Sequence, residues 1–320
     1  MKHALICGVS GQDGAYLAKF LIEKGYEVFG GSRDAQMSSF NNLKTLGIYD
    51  DVNLISLNIN DFRSTLQSIT KIKPTEIYNL AGQSSVGLSF EQPVETLESI
   101  TIGTLNILES IRFSDTSIKF YNAGSGECFG DTGNKPADEK TLFQPMSPYA
   151  VAKSAAFWLV NNYRQSYKIH ASTGVLFNHE SPLRPDRFVT KKIISAACKC
   201  LKNKEKKLYL GNVDIYRDWG WAPEYVEAMW LMLQQDFADD YVIATGKSYS
   251  LLDFIKTTFE HINLNWNDYV VVDNSLLRPT DLKYGSANPE KAHKVLGWKA
   301  KFKMKDVVKK MLDNELKNLK

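Results

Sequence analysis

Short apolar runs alternate with helically spaced stretches through the first half of the chain. Runs of strand length cover residues 3–9 (HALICGV), 26–31 (YEVFGG), 52–57 (VNLISL), 76–82 (EIYNLAG), 118–125 (IKFYNAGS) and 171–178 (ASTGVLFN). Between them, 15–25 (AYLAKFLIEKG) repeats its apolar residues at helical spacing and stops at Gly25. A second helical stretch covers 95–113, and a third opens at Ser147-Pro148. Continuously apolar strands separated by helices predict an α/β fold with a doubly wound parallel sheet. After Asn178 the rhythm loosens into loops, short strands and helices, which predicts a smaller second domain. Residues 239–246 (DDYVIATG) are expected to rejoin the sheet.

Composition narrows the class without naming a function. The chain has 320 residues, 43% hydrophobic and 23% charged, with a formal net charge of +3. That charge is too small to imply a nucleic-acid or membrane partner. The basic run 202–207 (KNKEKK) and the lysines after 301 read as solvated faces. Four cysteines in a chain this long do not make a disulfide scaffold, so reduced thiols and a cytoplasmic setting are expected. Cys198 and Cys200 are spaced too tightly for a zinc ribbon and no second ligand pair follows, so no metal is expected. The N-terminus lacks the longer apolar stretch of a signal peptide, and no segment is long enough to span a bilayer.

Candidate chemistry begins directly after the first strand. Gly8, Gly11 and Gly14 are spaced G-x-x-G-x-x-G at a strand-to-helix turn, where backbone amides approach a pyrophosphate. The large domain therefore reads as Rossmann-like and dinucleotide-binding, over 1–178 plus about 213–246. The substrate-binding domain takes about 179–212 plus 247–320. At the end of the second strand, Arg33 favours NADP by pairing with a 2′-phosphate. Asp34 beside it would repel that phosphate if turned inward, which keeps NAD as the alternative.

Tyr149 and Lys153 stand one helical turn apart behind an N-cap serine and an N1 proline. Taken alone, such a pair is more often a surface contact than chemistry. Its chemical reading is that the ammonium lowers the phenol pKa, making Tyr149 a base toward an alcohol. Ser125 and Glu127 fall at the rim of the fifth strand, where this fold opens onto its cofactor crevice. A surface-satisfied glutamate is the bland alternative for Glu127.

The glycine turn, Ser125, Y-x-x-x-K and "NLAG" after the fourth strand resemble the extended short-chain dehydrogenase/reductase family, whose members mostly act on nucleotide sugars. Further stretches, among them "GVSGQDGAYLAKFLIEKGYEV", "SPYAVAKSAAFWLVNNYR", "GVLFNHESPLR" and "YRDWGWAPEYVEAMWLMLQ", resemble the GDP-mannose 4,6-dehydratase family within it. That family's Ser/Thr-x-Glu and Tyr-x-x-x-Lys match Ser125, Glu127, Tyr149 and Lys153. The resemblance implies an NADP-dependent hydro-lyase making GDP-4-keto-6-deoxymannose from GDP-mannose by internal hydride transfer and loss of water. The cofactor contacts expected with it come from Gly8, Ser10, Gly11, Gln12, Asp13, Gly14, Arg33, Asn58, Ile59, Leu80, Ala81, Gln83, Ser84, His179 and Arg184. Asn178, Lys192, Gly211, Arg217, Arg278 and Asp281 are expected on the GDP-sugar side. Forked arginines suit a diphosphate in their own right, although Arg217 with Asp218 also reads as a structural ion pair.

The chain departs from the family pattern at Asp34, where a second arginine is usual, at Asn58 in place of aspartate, and at Asp281 in place of glutamate. "MSSFNN" keeps serines that help join dimers, and a homodimer or homotetramer is the expected assembly. Trp219, Trp221 and Trp230 read as packing residues. Three rival readings stay open: a GDP-manno-heptose 4,6-dehydratase with the same chemistry, a reductase or epimerase, and a non-catalytic NADP-binding protein.

Overall fold

The computed structural model describes residues 2–318 apart from 134, 204 and 278. Seven strands, all parallel, form the main sheet: β1 (His3–Cys7), β2 (Glu27–Ser32), β3 (Val52–Ser56), β4 (Glu76–Asn79), β5 (Lys119–Ser125), β6 (Ala171–Leu176) and β10 (Tyr241–Ile243). Their spatial order is β10-β6-β5-β4-β1-β2-β3. The order reverses between β1 and β4, which opens the ligand crevice of a doubly wound sheet above those two strands.

Strand burial explains why the sequence shows runs rather than alternation. In β1, Ala4 and Ile6 face one layer while Leu5 and Cys7 face the other, and all four are buried. The first layer is closed by α1 (Gln12–Glu23) and α9 (Ala222–Gln234), through Leu17, Leu21, Met229 and Met232. The second is closed by α3 (Phe62–Ile72), α6 (Gly103–Ser114) and α7 (Pro148–Tyr167), through Ile69, Ile107, Ile111 and Val160. Below the sheet, the buried Glu76 carboxylate accepts hydrogen bonds from Tyr26, Tyr78, Lys2 and Gln234, which answers the cost of burying it.

The predicted helix over 95–113 is three pieces. A short α5 (Pro93–Leu97) leads through a wider π-helical turn, Glu98–Ile102, into α6. The wide turn brings Ser99 to the loop after β4, where its hydroxyl accepts the amide of Gln83. Hydrophobic spacing is blind to one extra residue per turn, so the sequence showed a single helix.

Two small sheets follow, one of β7 (Asn178–Glu180), β9 (Tyr216–Trp221) and β11 (Ser248–Ser250), the other of β8 (Leu208–Leu210) and β12 (Val270–Val272). They pack with α8 (Val189–Lys202), α10 (Leu251–His261) and α12 (Met304–Asn318) around Ile193, Trp219, Phe254, Phe259, Val308 and Met311. The stretch 213–246 is shared between the two parts of the molecule: β9 lies in a small sheet, whereas α9 and β10 join the large one.

Candidate active site

The β1–α1 turn is built by its glycines. Gly8 has φ of +88°, and a Cβ there would lie 2.9 Å from the backbone of Leu80 and Ala81. A Cβ on Gly14 would come 2.3 Å from the Gly8 carbonyl oxygen, so only glycine lets α1 start this close to the end of β1. Gly11 is the N-cap of α1 and no side chain caps it, which leaves amides at that helix start for a ligand. They face a cavity of about 760 Å³ lined by Gly8, Ser10, Gly11, Gln12, Asp13, Gly14, Arg33, Asn58, Ile59, Leu80, Ala81, Gln83 and Ser84. An uncapped helix start in a cleft of this size suits a dinucleotide pyrophosphate.

At the far end of the cavity, Arg33 is largely exposed and its Nη1 lies 3.5 Å from Glu95. Asp34 turns its carboxylate back onto its own loop, accepting the amides of Gln36 and Met37 at 2.9 and 3.1 Å. Its charge is thereby shared with two backbone donors. Glu95 is the acid that competes for Arg33, and only its place on α5 reveals this.

Where the cavity meets the small domain, Asp13 binds His179 Nε2 at 2.8 Å, while His179 Nδ1 lies 2.7 Å from the Phe177 carbonyl. Gln12 reaches the His179 carbonyl and the Ser181 hydroxyl. Burial would raise the Asp13 carboxyl, but His179, Arg184 and Gln12 together hold it down to about 2. The folded value lies below the ordinary 3.8, so the unfolded chain takes up the proton first. The stabilisation, about 2 kcal/mol, is full above roughly pH 4 and is lost as pH falls through about 2. Asp13→Asn is therefore expected to cost stability at neutral pH and to flatten the acid limb, as read from urea midpoints across pH 2 to 7.

A second cavity of about 250 Å³ adjoins the first and shares Asp13, Leu80, Ser84, Arg184, Arg187 and Phe188 with it. It contains Ser125, Glu127, Tyr149, Lys153, Asn178, His179 and Arg217. Ser147 caps α7 by accepting the Ala150 amide at 3.1 Å, and Pro148 follows at the first helical position. That start fixes Tyr149 at the mouth of β5. Lys153 donates to the Ala123 carbonyl at 2.7 Å, with its ammonium 5.8 Å from the Tyr149 ring centre.

Burial governs the electrostatics of this pair among the protein's own groups. Burial pushes the Tyr149 phenol well above its ordinary 10, opposed by its hydrogen bond with Ser125. Burial also pushes Lys153 down to about 8. Desolvation is the largest influence on both groups, and the ammonium donates to a carbonyl. Its contact with Ser125 and its place one turn before Lys153 orient Tyr149 for proton transfer.

Beside them, Glu127 lies 3.9 Å from Arg217 Nε, and Ser125 Oγ accepts the Glu127 amide at 3.3 Å. Arg217 is held from behind by the carbonyls of Tyr216 and Leu282, each at 2.9 Å, and by Asp281 at 3.4 Å. Asp218 does not pair with it. Strand alternation turns Asp218 to the opposite face, where it accepts the amides of Thr245 and Lys247, each at 3.0 Å.

The remaining expected residues are placed differently. Lys192 donates to the Tyr209 carbonyl at 2.8 Å, and a Cβ on Gly211 would come 2.8 Å from the Leu276 carbonyl oxygen; neither lines the two cavities. Arg278 lies outside the described residues. Trp219 is buried against Phe254, and Trp230 Nε1 donates to Tyr26. Arg187 was not singled out in the sequence although it lines both cavities; the available signal was a second arginine three residues after Arg184.

A doubly wound sheet with a glycine turn, and a Ser–Tyr–Lys set joined by a carboxylate, match the architecture of a short-chain dehydrogenase/reductase. The family model for GDP-mannose 4,6 dehydratase matches residues 5–311. "GDP-mannose 4,6 dehydratase 1" of Arabidopsis thaliana is 44% identical over 327 residues, covering 98% of this chain and 90% of its own. "GDP-mannose 4,6-dehydratase" of Sinorhizobium fredii (strain HH103) is 42% identical over 345 residues, covering 100% and 98%. The chain belongs to the GDP-mannose 4,6 dehydratase family. Among solved structures, dTDP-glucose 4,6-dehydratase from Bacillus anthracis in complex with NAD superimposes with a TM-score of 0.86 at 18% identity, covering 99% of this chain and 97% of that one, which shows the shared fold.

Proposed function

We propose that this protein dehydrates GDP-mannose to GDP-4-keto-6-deoxymannose with a nicotinamide dinucleotide that is regenerated in each cycle. The observation that carries the reading is Glu127 meeting Ser125, Tyr149 and Arg217 in one cleft beside the dinucleotide cavity. When bound, the dinucleotide supplies a hydride acceptor for C4 and later a donor for C6. Tyr149, acting as its phenolate, takes the O4 proton and becomes the phenol, and Ser125 holds that oxygen by hydrogen bonding. The resulting ketone acidifies the neighbouring C5–H. Glu127 removes that proton and protonates the departing C6 hydroxyl, serving as base and then acid. Arg217, fixed by two carbonyls, meets the diphosphate.

The test is mass spectrometry of GDP-mannose incubated with purified protein and catalytic dinucleotide. Loss of one water with no net reduced cofactor is expected. Net redox of added cofactor would overturn the reading in favour of a reductase, and turnover of GDP-manno-heptose alone would reassign the sugar.

For the dinucleotide itself, the reading is NADP. It is supported by Arg33 at the cavity and by Asp34 turned onto its own loop. Glu95 holds Arg33 back from a 2′-phosphate. Removing that charge with Glu95→Gln is expected to tighten NADP binding about two- to fivefold and leave NAD binding unchanged, as measured by fluorescence titration. Arg33→Ala is expected to remove the preference.

A further inference from the structure

The loop between β7 and α8 carries two arginines with different surroundings. Arg184 donates to Glu180 at 2.6 Å and to the His179 carbonyl, so its charge is met within its own segment. Arg187 makes no ion pair among the described residues. Its Nη2 donates to the Ser84 hydroxyl at 3.2 Å, and its guanidinium lies 5.3 Å from the Phe188 ring. Ser84 belongs to the loop after β4 in the large domain, whereas Arg187 leads into α8 of the small one. The contact therefore crosses between domains at the junction of the two cavities.

A guanidinium whose hydrogen-bonding partner is a neutral hydroxyl, at the edge of a cleft with an uncapped helix start, lacks only an anion. We propose that Arg187 is a clasp over the dinucleotide cavity, bridging to Ser84 and pairing with a phosphate oxygen of the bound dinucleotide. Two observations favour the dinucleotide over the sugar nucleotide. Ser84 lies on the same loop as Leu80 and Ala81, which pack against the Gly8 turn. On the substrate side, Arg217 already provides a buried guanidinium.

The clasp has a chemical purpose in a cycle that takes a hydride from one carbon and returns it to another. Release of the reduced dinucleotide between those events would strand the ketone, so slow release protects the turnover. The proposal rests on the dinucleotide reading of the larger cavity and is independent of the dehydration chemistry.

The test measures release of NADPH and NADH by stopped-flow fluorescence from wild type, Arg187→Ala, Arg187→Lys and Ser84→Ala. GDP affinity is followed in parallel by calorimetry. Arg187→Ala is expected to speed release of both dinucleotides about tenfold or more, the value of one charge-assisted phosphate contact. Arg187→Lys is expected to keep part of the retention, and Ser84→Ala to speed release about two- to threefold, as for a neutral hydrogen bond. Circular dichroism melting identifies any variant that has lost its fold. Wild-type release rates in folded Arg187→Ala would overturn the proposal. So would weakened GDP binding with unchanged dinucleotide release, which would place Arg187 on the substrate side. Either result would leave the mass-spectrometric test of dehydration untouched.

Discussion

Tyr149→Phe is expected to lower kcat about a thousandfold, within the range for removing a positioned proton acceptor. The variant keeps the ring, the Ser147 cap and the packing of α7, so fold and cofactor affinity should stay close to wild type. Only the hydroxyl that meets Ser125 is deleted. The O4 proton must leave as the hydride leaves, and Tyr149 is the base assigned to take it. Single-turnover formation of reduced nicotinamide measures the step directly. Wild-type rates in Tyr149→Phe would remove Tyr149 from the mechanism.

Glu127→Gln is expected to separate the two halves of the reaction. Product formation should fall by about two to four orders of magnitude while the initial oxidation survives. Glutamine preserves the shape beside Arg217 and keeps the backbone amide on Ser125. It cannot accept the C5 proton. Reduced nicotinamide should therefore build up to the amount of enzyme and then stall, without loss of water from the substrate. Exchange of the C5 proton with deuterated solvent should vanish with it. Full turnover in this variant would sink the role given to Glu127.

Local signals carried much of the site into the sequence. Gly14 is legible because its close approach joins a strand end and a helix start only a few residues apart, whereas Gly8 is legible through its spacing from Gly11 and Gly14 although it packs against Leu80 and Ala81. Ser147, Pro148, Tyr149 and Lys153 are legible because one helix start fixes all four. What was hidden depends on tertiary placement. The phenol's burial, which raises its pKa among the protein's own groups, is not reported by spacing. Glu95 reaches Arg33 from a helix more than sixty residues downstream. The structural pairing of Arg217 with Asp218 was plausible in one dimension and is excluded once strand faces are assigned. Lys192 and Gly211 came from likeness to the family, and in this chain their local contacts lead to Tyr209 and Leu276.

The alternation along β9 also limits how this chain can change in length. Arg217 faces the cleft while Asp218, on the opposite face, holds the turn that follows β10, so neighbouring residues of opposite charge serve separate compartments. Deleting a single residue just before them would present Asp218 to Glu127 and leave Trp219, which has no carboxylate, against the turn that Asp218 now holds. Such a deletion inverts the charge of the cleft without altering the composition of that pair. Variation in length is therefore barred from this strand by charge as well as by packing, and falls to the surface connections between elements.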